Sequence, residues 1–84
     1  MKTYTETGTE ASVETEAAIK RSISHDEIVR VVCADPAALT DWIADNYDDA
    51  GHAAEWNGDI DVWGRRSGEA FRLRIALATG KDTP

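Results

Sequence analysis

The chain has 84 residues, with nine Lys and Arg against 16 Asp and Glu and a net charge of −7. That length is room for one small domain, which buries roughly 60–65% of the surface its unfolded form exposes and leaves little for a deep catalytic cleft. The charge disfavours direct contact with nucleic acid or an anionic membrane and favours a basic partner, while 42% hydrophobic residues exclude a wholly disordered chain.

Cys33 is the single cysteine, so neither an intrachain disulfide nor a structural zinc site of clustered thiolates is expected. It reads as a small apolar core residue. No apolar run approaches the ~20 residues of a membrane span. The polar, Thr- and Glu-rich opening lacks the basic and apolar regions of a signal peptide, and a cytoplasmic location is expected.

In chain order, residues 1–11 offer almost nothing to bury and read as a flexible or loosely paired N-terminal arm. From Ser12 onward, Val13, Thr15, Ala17, Ile19 and Ile23 share one parity against Glu14, Glu16, Lys20 and Ser22, which predicts a strand with one wet face. A helix over 13–21 competes, because Ala17, Ala18 and the glutamates are good helix formers. Ser24-His25-Asp26-Glu27 fits a capping box, with Ile23 and Ile28 as its hydrophobic staple, and predicts a helix over 25–33. Asp35 as N-cap and Pro36 at the first helical position start a second helix. Leu39, Trp42, Ile43 and Tyr47 mark its buried stripe, and Asn46 to Gly51 ends it.

After Gly51, turn signals at Asn57-Gly58 and at Gly64–Gly68 divide three strands. A three-residue turn with Gly58 left-handed pairs Ala54 with Ile60 and Glu55 with Asp59, sending Ile60 and Val62 inward and Glu55, Asp59, Asp61 and Trp63 outward. The last strand alternates Phe71, Leu73, Ile75 and Leu77 against Arg72, Arg74 and Ala76. The expectation is a small α+β domain over 12–79, ordered β-α-α-β-β-β, with two helices on one face of an antiparallel sheet and residues 80–84 as a C-terminal tail.

Enzyme signatures are absent: there is no Gly-x-Ser-x-Gly elbow, phosphate-binding loop, dinucleotide fingerprint or His-Glu-x-x-His helix. A calcium loop starting at Asp45 fails, because Ala50 and Trp56 stand where Gly and a bidentate Glu are required. Asp59 and Asp61 share a strand face with Arg72 and Arg74 and read as cross-strand ion pairs. His25 and His52 have no second histidine at metal spacing. No catalytic residue, cofactor or metal is therefore expected, and the chain reads as a non-enzyme.

Charge segregation is the positive signal. Residues 26–61 hold ten acids and one base, for a net of −9, whereas residues 62–84 carry a net of +3. Solubility alone would intersperse the signs, although a purely solvated acidic face has the same composition. The expected partner surface comprises Asp41, Asp45, Asp48, Asp49, Glu55, Asp59 and Asp61, with Trp56 and Trp63 as anchors.

In size, acidity, lack of enzyme motifs and α+β pattern over 12–79, the chain resembles the small phage-encoded anti-CRISPR proteins, several of which are DNA mimics. The resemblance is one of general character and implies an inhibitor, in a bacterial cytoplasm, that binds a CRISPR effector complex and blocks target DNA. The expected partner is thus the basic surface of a nucleic-acid-binding complex, with no direct nucleic acid and no membrane, and the protein itself a monomer or dimer. Two alternatives are an RNA- or DNA-binding module using the Arg65-Arg66 turn with Arg72, Arg74 and Lys81, and a regulatory adaptor.

Overall fold

The computed structural model describes residues 3–6 and 13–77. They form β1 (Thr3–Glu6), α1 (Val13–His25), β2 (Ile28–Cys33), α2 (Pro36–Asn46), β3 (Asp48–Ala54), β4 (Ile60–Arg66) and β5 (Glu69–Leu77). The strands make one sheet in the order β1-β2-β5-β4-β3. The α+β class, the two helices and the C-terminal meander are as expected. The β3–β4 and β4–β5 pairs are antiparallel, but β2 pairs in parallel with both β5 and β1, so the sheet is mixed.

One exchange alters the N-terminal half: residues 13–25 are helix and residues 28–33 are strand, the reverse of the expectation. In α1 the buried residues are Thr15, Ala18, Ile19 and Ser22, a helical i, i+3, i+4, i+7 set. The shared parity of Thr15 and Ile19 is that of an i, i+4 helical pair, and the buried Ala18 and Ser22 fall on the other parity. The β-branched run Ile28-Val29-Arg30-Val31-Val32 takes the extended form that such side chains favour.

Ser24–Glu27, read as a helix start, is the end of α1. Asp26 is left-handed at φ 49°, and the Glu27 amide donates to the Ser22 carbonyl at 3.2 Å, which together make a Schellman C-cap. The Ile23–Ile28 staple is therefore absent, and Ile28 lies 39% exposed on the sheet.

Part of the expected arm is structured as well, since Thr3–Glu6 pair as an edge strand with Arg30–Cys33 of β2. Thr and Tyr suit a strand, and a connecting helix lets β1 and β2 run parallel. The rest of the arm, at 1–2 and 7–11, and the tail at 80–84 lie outside the described residues.

Ala18 and Ile19 of α1 and Leu39 and Ile43 of α2 join Val29, Val31, Cys33, Val62, Phe71, Leu73 and Ile75 in one buried cluster. Both helices therefore cover the same face of the sheet, and Cys33 is core as expected. Ser22 ties α1 to β5: its hydroxyl accepts from the Arg72 amide at 2.8 Å and sits 2.7 Å from the Glu27 carbonyl. Leu77 was expected inward, yet it is exposed, while Ala76 is buried. In the C-terminal half, β3 starts at Asp48, before Gly51, and Gly64–Arg66 belong to β4, leaving Ser67-Gly68 alone as the β4–β5 turn.

Candidate partner-binding surface

Helix α2 is built as its sequence requires. The Asp35 carboxylate accepts from the Ala38 amide at 3.1 Å with Pro36 in the first turn, and the Tyr47 amide closes the helix on the Ile43 carbonyl at 3.0 Å. Leu39, Thr40 and Ile43 face the core. Trp42 is half-buried, edge-on to Tyr47 at 5.8 Å, and Tyr47 meets Phe71 at 5.3 Å. Burial and the nearby Glu16 carboxylate raise the Tyr47 phenol above its ordinary value.

That packing turns Asp41 and Asp45 outward, where both are exposed. Four residues of helix separate them by about 6 Å along the axis. The chain then enters β3 through exposed Asp48 and Asp49. Asp49 is left-handed at φ 52° within a bulge between Asp48 and Gly51, and it pairs with Arg65 at 3.5 Å. Among the described residues, Asp41, Asp45 and Asp48 have no cation partner.

The remaining expected residues lie elsewhere. The Glu55 amide donates to the Asp59 carbonyl at 2.7 Å, Ala54 pairs with Ile60, and Gly58 has φ +95°, which is the expected three-residue turn. Trp56 stands at its tip, 95% exposed. Glu55, Asp59, Asp61 and Trp63 face the side of the sheet that carries no helix, so the nine predicted residues fall into three places: the α2–β3 flank, the hairpin tip and the open sheet face.

On the open face the acids are not free. Arg74 reaches Asp61 at 2.9 Å and Glu55 at 3.2 Å, so the Asp61–Arg74 pairing is as expected. Arg72 differs, because it turns to Asp26 at 3.4 Å, across the turn that follows α1, and Asp59 instead bonds Asn57 through its amide at 3.1 Å. The hydrogen bond shared with Asp61 raises the Glu55 carboxyl above its usual value, and the same contact with the Arg74 guanidinium lowers that of Asp61. Two carboxylates and one guanidinium thus form a self-contained cluster. Trp63 is 43% exposed, but its indole lies against Gly51: a Cβ there would stand 2.6 Å from the ring nitrogen.

Sequence reasoning missed what Ile28 and Arg30 contribute to this face. They line a hollow of about 300 Å³ with Asp59 and Arg74, and Ile28 also joins Asp61, Trp63 and Arg72 around one of about 190 Å³. The alternation around Arg30 was the available signal, obscured by reading 25–33 as helix. Of the arginines proposed for nucleic acid, Arg65, Arg72 and Arg74 each hold a carboxylate; Lys81 lies outside the described residues. Among the described residues no three His, Cys, Asp or Glu side chains converge as a metal would need, and no helix is long and apolar enough to cross a membrane. No protein-family model, curated protein or solved structure matches the chain.

Proposed function

We propose that this chain is a non-enzymatic binding protein whose α2–β3 flank docks on the basic surface of a nucleic-acid-binding protein and competes there with the phosphate backbone. The observation that carries the reading is the set Asp41, Asp45 and Asp48, exposed and without a cation among the described residues. No Lys or Arg occurs between Arg30 and Arg65 in the sequence, and Arg65, opposite Asp48 in the ladder, pairs with Asp49. Lysines and arginines that hold phosphates gain the same charge-assisted contacts from carboxylates. The reading is confined to this flank, since Glu55 and Asp61 already share Arg74. Its most specific form, following the resemblance in size and acidity, is an inhibitor of a CRISPR effector complex acting in the bacterial cytoplasm.

The test is release of labelled target DNA from purified effector–guide complexes. The parent protein releases DNA, whereas the triple reversal of Asp41, Asp45 and Asp48 to Lys keeps its fold by circular dichroism and does not. Equal release by both proteins, or by neither, overturns the reading. Direct, salt-sensitive binding of an oligonucleotide by the protein itself would place the site on the arginines instead.

A further inference from the structure

Strand β3 closes the sheet on one side, and its far edge has no neighbour among the described residues. The Glu55 amide bonds the Asp59 carbonyl, and Ala53 and Gly51 stand opposite Asp61 and Trp63. Since bonded and non-bonded pairs alternate along an antiparallel ladder, the amide and carbonyl of His52 and of Ala54 face away from β4. His52, Ala53 and Ala54 are all exposed. Such edges are usually blocked by lysine, proline, a bulge or a covering element. The bulge and the two aspartates protect only the start of β3; Gly51–Ala54 has no lysine and no proline, and three of its four residues are Gly or Ala.

We propose that this edge takes an extended, Lys- or Arg-bearing segment of the partner protein as a further strand, main-chain hydrogen bonds supplying register and the flanking acids supplying charge selection. Asp45 and Asp48 lead into the edge, and Asp59 follows it; the neighbouring Asp49 and Glu55 are already held by Arg65 and Arg74. A second copy of this chain is the poorer occupant. Each copy carries −7, and an antiparallel pair centred on His52 would set Asp49 opposite Glu55. The inference rests on the proposed basic partner and adds how that partner is held.

The probe is a labelled nine-residue peptide of alternating Lys and Val, compared by anisotropy with its fully N-methylated counterpart of equal charge. The parent peptide is expected to bind at least tenfold more tightly than the methylated one and to slow hydrogen exchange at the His52 and Ala54 amides. His52→Pro, which removes an outward amide without touching the β3–β4 ladder, is expected to weaken binding at least tenfold. Should that variant fail to fold, the methylated peptide and the exchange pattern decide. Equal binding of the two peptides, or protection confined to other amides, overturns edge pairing. If the Lys reversal of Asp41, Asp45 and Asp48 alone abolishes binding, the acidic flank stands and the edge falls. If that reversal changes nothing while methylation abolishes binding, the acidic flank falls.

Discussion

The two acidic regions of this molecule are similar in sequence and opposite in physics. On the open sheet face, Glu55 and Asp61 meet across the β3–β4 hairpin with Arg74 of β5 between them, so their charge is spent within the fold. On the α2–β3 flank, Asp41, Asp45 and Asp48 are exposed, with no cation partner among the described residues. A count of acids along the chain cannot separate these cases, because pairing depends on which strand lies beside which. The difference decides which acids remain available to a partner.

Among the described residues no ion pair fixes the flank at Asp41 or Asp45, so its geometry depends on what anchors α2 from below. Ile43 is fully buried beneath that helix, and Ile43→Ala is expected to cost about 2–5 kcal/mol, the largest effect of the substitutions considered for this comparison. Thermal unfolding measures it. A melting temperature unchanged by the substitution would mean that α2 is held by something other than its apolar stripe.

Signals that depend on neighbouring residues along the chain were legible in the sequence. Asp35-Pro36 starts α2, and the Asn57-Gly58 turn sets the β3–β4 register, each through contacts spanning a few residues. Ser24–Glu27 was ambiguous for the same reason: its polar residues suit an N-cap or, with Asp26 left-handed, a C-cap. What resolves it is the parallel seat of Ile28–Cys33 beside β5, a contact across some 44 positions that local pattern does not encode. The partner of Arg72 was lost with it, since Asp26 comes within reach only when α1 ends there.

A smaller effect tests the paired side. The folded state raises the Glu55 pKa, chiefly through Asp61, so its contribution favours folding below the unfolded value and is lost as pH rises through the folded one. Asp61 has the opposite sign: its pKa is lowered, so its contribution is present above the unfolded value and lost as pH falls through the folded one. The two contributions thus have opposite pH dependence. Glu55→Gln copies the protonated form, so the variant is expected to gain stability over the parent near pH 7 and to lose that advantage as the pH is lowered and Glu55 of the parent protonates. A pH-independent difference in urea midpoints would show that folding does not raise the Glu55 pKa.

The smallest effect sharpens the contrast most, because one substitution should change sign between the two regions. Asp45 lies in the last turn of α2, which contains no base, so its charge meets the negative end of the helix dipole at a cost of about 0.3–1 kcal/mol. Asp41, one turn earlier, adds repulsion of about 0.2–0.5 kcal/mol. Asn and Asp have similar helix propensities, so Asp45→Asn isolates the charge and is expected to stabilise the protein by roughly 0.5–1 kcal/mol, a gain that shrinks at 1 M salt. Asp61→Asn removes the carboxylate held by Arg74 at 2.9 Å and is expected to destabilise by up to about 1 kcal/mol. Urea midpoints at unchanged slope measure both. A loss at Asp45 would reveal a cation serving it, and a gain at Asp61 would mean that the Arg74 cluster is no better satisfied than the flank; either result removes the distinction on which the assignment of the binding surface rests.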